Sequence, residues 1–244
     1  MQRLIYTSFF LISGFLLFVG LINFNNDLKN HTVKNSSLSN QLYANEIRNK
    51  TLFPTKPLTI QEEKKVAAYN QSINFEQKKD LDNAIKQMLS IYDKEDYLIN
   101  LRLGWLQYNN HKYEESVNYY SNSLRISDNK SIEAYLGLTL PLASLNNWDK
   151  VKDAYIKILK IDGFNYTANL RLGQIYLNSL NYNNARKHLE IVKENYPSDY
   201  EANLSLGWTY YYLGDNTLAK QCLTNALLLS PNDSLALSGL NLIK

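Results

Sequence analysis

The sequence predicts an all-α protein: a right-handed α-solenoid of about five helix pairs plus a C-terminal helix, preceded by one N-terminal transmembrane helix and a flexible tether. Three observations carry this reading. A Leu-Gly step recurs at Leu103-Gly104, Leu172-Gly173 and Leu206-Gly207, the last two 34 residues apart and the first two 69 apart. Apolar triplets spaced i, i+4, i+7 follow those steps, and that spacing lies on one face of a helix. Near the N-terminus, nineteen consecutive residues carry no charge.

Those nineteen residues, 4–22, run LIYTSFFLISGFLLFVGLI. At about 1.5 Å per residue they make a helix of roughly 28 Å, close to the ~30 Å of a hydrocarbon core. Residues 1–24 are expected to form an uncleaved signal-anchor. The run is longer than a secretory h-region, and Gly20-Leu21-Ile22-Asn23 offers no small-x-small cleavage site. A secreted chain after signal cleavage is the alternative. Arg3 lies on one side of the run and Lys29 and Lys34 on the other, so the positive-inside bias is weak. The three-residue tail is the part more easily left in the cytoplasm, which places residues 25–244 on the non-cytoplasmic side, periplasmic or extracellular.

Residues 25–58 are polar, rich in Asn and Ser, and end in Phe53-Pro54-Thr55-Lys56-Pro57. That is the composition of a solvated linker with a stiff finish. Thr59-Ile60-Gln61-Glu62 then makes a capping box, which opens the folded domain at 59–244.

The repeated units are expected at 65–96, 97–130, 132–165, 166–199 and 200–233, with a partial helix at 234–244. The 69-residue step is two units plus one inserted residue, Ser131, and the unit between carries Leu138-Thr139 in place of Leu-Gly. Each unit is two antiparallel helices joined by a short turn, such as Leu213-Gly214-Asp215-Asn216. The second-helix triplets are Ala84/Met88/Ile91, Val151/Tyr155/Ile158, Ala185/Leu189/Val192 and Ala219/Leu223/Ala226. The glycine of the first helix lets the second approach, because a side chain there would hold the backbones apart. One pair cannot bury its apolar faces alone, so neighbours must stack. The first unit has Gln71-Ser72 where Leu-Gly belongs. The third carries Pro141 inside its first helix, where loss of a backbone donor should kink it.

This pattern resembles the tetratricopeptide repeat family over about three-quarters of the chain, and together with the N-terminal run it looks like a membrane-anchored bacterial-type member. The family pattern W-x2-L-G-x2-Y…A-x3-F…P is met best in the fourth unit, by Asn169, Leu172, Gly173, Tyr176, Ala185, Leu189 and Pro197. In the fifth it is met by Asn203, Leu206, Gly207, Tyr210, Ala219, Leu223, Ala226 and Pro231.

The resemblance implies a protein-binding groove lined by the first helices. Its residues are Tyr69 in the first unit, Leu101, Arg102, Trp105 and Tyr108 in the second, and Leu136 and Leu140 in the third. The fourth unit adds Arg171 and Gln174, and the fifth Trp208, Tyr211 and Tyr212. This is an aromatic and aliphatic groove with two cationic points, and Trp, Tyr and Arg are the types that most often anchor interfaces. Against it stand Trp105 and Trp208 packing on the next unit, and both arginines as solvated surface charges. Relatives that grip the C-terminal carboxylate of cytosolic heat-shock chaperones place Lys and Asn at the first unit's fifth and ninth positions. Those positions are Tyr69 and Ile73 here, or Leu101 and Trp105 one unit on, so the clamp is absent. The C-terminal helix offers a second surface, Leu240, Leu242 and Ile243, for a partner or for oligomerisation with a second copy.

Composition narrows the function. Residues 61–244 hold 20 Lys+Arg against 21 Asp+Glu, so the net charge of +3 comes from the front of the chain. A near-neutral domain does not hold a polyanion by counterion release, and no nucleic-acid partner is expected. Cys222 is the single cysteine, which excludes an internal disulfide and a cysteine-built metal site. No P-loop, HExxH or GxSxG stands in the sequence, and no Cys has a plausible His base. An enzyme and a cofactor are therefore not expected. The leading expectation is a membrane-anchored scaffold or adaptor for protein partners, membrane or envelope proteins among them, within an envelope complex. A periplasmic holdase-type chaperone for exported proteins is the alternative.

Overall fold

Thr59 opens the fold. Its hydroxyl accepts the Glu62 amide at 3.3 Å, and the Glu62 carboxylate accepts the Thr59 amide at 2.7 Å. The computed structural model describes residues 57–243. The expected transmembrane segment at 4–22 and the expected linker up to residue 56 lie outside the described residues. Contacts divide the chain into Met1–Leu58 and Thr59–Lys244, and every described helix belongs to the second unit.

Among the described residues there are eleven α-helices. The first repeat is α1 (Ile60–Gln77) and α2 (Leu81–Leu89), and the second α3 (Tyr97–Asn109) and α4 (Tyr113–Ile126). The third is α5 (Ile132–Ser144) and α6 (Trp148–Ile161), and the fourth α7 (Tyr166–Asn178) and α8 (Tyr182–Asn195). The fifth is α9 (Tyr200–Leu213) and α10 (Asn216–Leu229), followed by α11 (Ser234–Leu242). None of them is long and apolar enough to cross a membrane.

Local chemistry explains where these helices start and stop. Asp80, Asp96, Ser131, Asn147, Asn165, Asn181, Asp199, Asp215 and Asp233 each cap a helix by accepting an amide of its first turn. Such a cap contributes about 1 kcal/mol. Each pair turns through one left-handed residue: Lys79, His111, Asn146, Leu180 or Gly214. The amide of the residue after the left-handed one then bonds back five residues, as in Asn181 to the Tyr176 carbonyl at 2.8 Å and Asp215 to Tyr210 at 3.0 Å. This Schellman closure satisfies carbonyls that the helix end would otherwise leave open.

Stacking supplies the core. Each first helix packs on its own second helix, and that one on the next first helix. First helices of successive repeats also touch, α3 with α5, α7 with α9 and α9 with α11, while no comparable contact joins successive second helices. First helices therefore form the inner wall of the solenoid. The expected second-helix triplets are buried, except that Ile91 lies beyond the end of α2 and is only half-buried. A Cβ on Gly173 would lie 2.5 Å from Leu189 Cγ, and one on Gly207 2.7 Å from Leu223 Cγ. That close approach is why the first helix needs glycine at this step.

The place of the family's Trp is taken by buried asparagines that sew the inter-repeat loops. Asn169 donates to the carbonyls of Gly163 and Asn165 at 3.0 and 3.1 Å, and Asn203 to Pro197 and Asp199 at 2.9 and 2.7 Å. Asn100 does the same with Lys94 and Asp96. The inserted Ser131 is absorbed by two successive left-handed residues, Asp128 and Asn129, and Ser131 becomes a cap. Pro141 is buried within α5, which runs unbroken through it.

Candidate protein-interaction surface

The inner wall begins with α1. Tyr69 is half-buried there, its hydroxyl 3.4 Å from the Leu98 carbonyl, and burial pushes its phenol above the usual range. On α3, Leu101 packs against the core cluster that includes Tyr135 and Ile158. Arg102 and Trp105 converge on one carboxylate. Arg102 Nη1 is 2.6 Å from Glu76 Oε2, and Trp105 Nε1 donates to Glu76 Oε1 at 2.6 Å. Tyr108 is half-buried, its ring 6.3 Å from Trp105 and 6.0 Å from Tyr113, and burial raises its phenol as well. Leu136 and Leu140 of α5 are half-buried, the former against the same core as Leu101.

Arg171 on α7 is buried. Its Nη1 donates to Glu201 Oε2 at 2.6 Å and to Gln174 Oε1 at 2.8 Å, and Gln174 Nε2 donates to the same Glu201 oxygen at 3.0 Å. The two expected cationic points are thus not solvated charges; each is neutralised by a carboxylate of a neighbouring first helix. Trp208 corrects the groove reading at its C-terminal end. It is only 6% exposed, and its ring lies against Tyr211 and Tyr212 with centroids 5.8 and 5.9 Å away. It packs at the junction of α9 with α11 instead of lining an open groove. Tyr211 is half-buried, and Tyr212 is exposed and stacked 4.8 Å from Tyr182.

On α11, Leu240 is half-buried and Leu242 exposed, while Ile243 borders a shallow cleft with Thr217, Lys220 and Gln221 of α10. Cys222 is fully buried, and burial pushes its thiol up although Lys193 Nζ lies 3.1 Å away. That environment fits packing. Among the described residues no group of His, Cys, Asp and Glu could hold a metal ion.

Sequence reasoning passed over Glu76. It stands at the twelfth place of the unit starting at 65, the place that Tyr108 and Tyr211 hold in theirs, so position counting is the signal that finds it. Glu201 is legible in the same way.

Helix pairs in register, turned by a left-handed residue and, in the fourth and fifth, closed by glycine-to-leucine contacts, define a helical-repeat solenoid. Residues 167–199 and 200–233 each match a tetratricopeptide repeat family model. Residues 167–233 are tetratricopeptide repeats, and the described domain has the tetratricopeptide-repeat fold. No curated protein sequence matches the chain. Among solved structures it is similar to YrrB, described as a TPR protein with an unusual peptide-binding site, at 18% identity and TM-score 0.59 over 70% of this chain and 89% of that one. It is also similar to MamA, at 19% identity and TM-score 0.61 over 69% and 92%. A tetratricopeptide repeat protein from Parabacteroides merdae is similar at 18% identity and TM-score 0.64, over 72% and 71%.

Proposed function

We propose that the protein is a membrane-anchored scaffold that holds one or a few protein partners against its inner wall, within an envelope complex. The uncharged run at 4–22 serves as the anchor, residues 25–58 as the tether, and the solenoid stands on the non-cytoplasmic side. One observation carries the binding part: Tyr69, Trp105, Tyr108, Tyr211 and Tyr212 remain partly exposed on or beside the inner wall. Side chains of this kind supply large contact area with little entropy to lose. The peptide-binding site named for YrrB supports a peptide segment as the occupant.

The test is crosslinking and co-purification of the full chain from native membranes, comparing wild type with Trp105→Ala/Tyr108→Ala. Loss of one dominant, stoichiometric partner is expected, with helicity unchanged by circular dichroism. A broad, unstoichiometric set of exported proteins would replace the scaffold by the holdase reading. A dominant partner that survives the substitutions would move the site to Leu240, Leu242 and Ile243.

A further inference from the structure

The two arginines occupy the same repeat place, immediately before the Leu-Gly step, and each is followed three residues on by an N–H donor, Trp105 or Gln174. Each pair grips one carboxylate from a different first helix, Glu76 from the preceding repeat and Glu201 from the following one. The same place is Gly137 in the third repeat and Ser205 in the fifth, so the donor pairs stand two repeats apart.

Exposure is unequal within each ion pair. The side chains of Arg102 and Arg171 are 12% and 9% exposed, those of Glu76 and Glu201 26% and 29%. The cation is fixed in the wall and the acid lies nearer the solvent, so the acid is the half that can be exchanged. Arg102 is also not saturated: among the described residues its buried Nε has no hydrogen-bond partner.

We propose that Arg102/Trp105 and Arg171/Gln174 are two carboxylate sites for an acidic partner segment, occupied in the free protein by Glu76 and Glu201 as internal stand-ins. This rests on the groove reading above and names the partner's chemistry. A partner carboxylate that replaces Glu76 or Glu201 leaves the arginine paired. A neutral segment that pushed the glutamate aside would strand a nearly buried guanidinium, which is strongly unfavourable. Competition by the internal acid lowers the apparent affinity, because only the fraction of molecules with the glutamate swung out can bind.

The probe is fluorescein-labelled hexaglutamate, followed by fluorescence anisotropy on the full chain in detergent at low ionic strength, with labelled hexaglutamine as control. Glu76→Gln/Glu201→Gln keeps the side-chain shape but removes the competing charge, and is expected to tighten hexaglutamate binding about tenfold or more. Adding Arg102→Gln and Arg171→Gln to that variant should abolish the gain, and hexaglutamine should bind none of them. No gain in the Glu→Gln variant overturns the proposal. So does a gain that survives loss of both arginines. Because a misfolded arginine variant would also lose the gain, its helicity by circular dichroism must match that of the Glu→Gln variant. If native membranes yield a Trp105-dependent partner while the Glu→Gln variant gains nothing, this inference falls and the scaffold reading stands.

Discussion

In the fourth repeat Leu189 fills the space opened by Gly173, and in the fifth Leu223 does so at Gly207. In the second repeat Tyr120 takes that place, wedged between Gly104 on its own first helix and Gly137 on the next. The third repeat reverses the arrangement. Thr139 stands where glycine belongs, and the Tyr155 hydroxyl lies 3.4 Å from its Oγ1. The regular half fills the space between its helices with one side-chain size, and the irregular half places its glycines to suit a tyrosine. The family pattern therefore describes one solution of the packing problem, and repeats that depart from it keep the helix pair by compensating across the junction.

The largest effect should come from removing that compensation. A Cβ at Gly137 would lie 2.3 Å from Tyr120 Cε1, so Gly137→Ala should cost about 2–3 kcal/mol through overpacking. Urea unfolding checks it. Tyr120→Leu in the same chain should recover most of the loss, since leucine is what the regular repeats place there. A neutral Gly137→Ala would show that the tyrosine is free to shift and would break the comparison.

A second contrast lies at the junctions. Tyr166 donates to Asp199 Oδ2 and Tyr200 to Asp233 Oδ2, both at 2.6 Å, while the other oxygen of each aspartate caps its helix. Burial and the adjacent carboxylate hold both phenols well above the usual range. At the junction of the third and fourth repeats, Ile132 replaces the tyrosine, and Asn165 caps its helix and donates to Asp162 Oδ2 at 3.3 Å without a tyrosine bond. Asp199→Ala should therefore cost about 2 kcal/mol, cap and tyrosine bond together, and Asn165→Ala about 1. Equal losses in thermal melts would mean that the tyrosine bond adds nothing.

The smallest effect concerns the turns. Leu180 has φ 61° where the fifth repeat has Gly214 at φ 82°, and a left-handed backbone disfavours leucine but suits glycine. Leu180→Gly should stabilise by about 0.5–1 kcal/mol, and Gly214→Ala should destabilise by about 1. A loss at Leu180→Gly would sharpen the comparison by showing that the exposed leucine contributes packing at its turn.

The all-α repeat architecture was legible from residues alone, because it rests on chemistry within a few places along the chain. Asp, Asn and Ser at helix starts, Gly214 at a turn, and apolar triplets at i, i+4, i+7 act over one or two helical turns, and repetition turns weak local signals into a strong one. Which groove positions stay open was not legible. Tyr69 and Trp105 keep partial exposure, but Trp208 disappears into the α9–α11 junction, and Arg102 and Arg171 meet acids 26 and 30 residues away. Position counting places a side chain on the inner wall without saying what lies opposite. Whether it faces solvent or a neighbour depends on how closely two repeats stack, and that distance is set by volumes contributed from both, such as Tyr120 against Gly137. Caps, turns and periods are properties of a segment; burial and ion pairing are properties of a junction, and only the tertiary structure brings the two sides of a junction together.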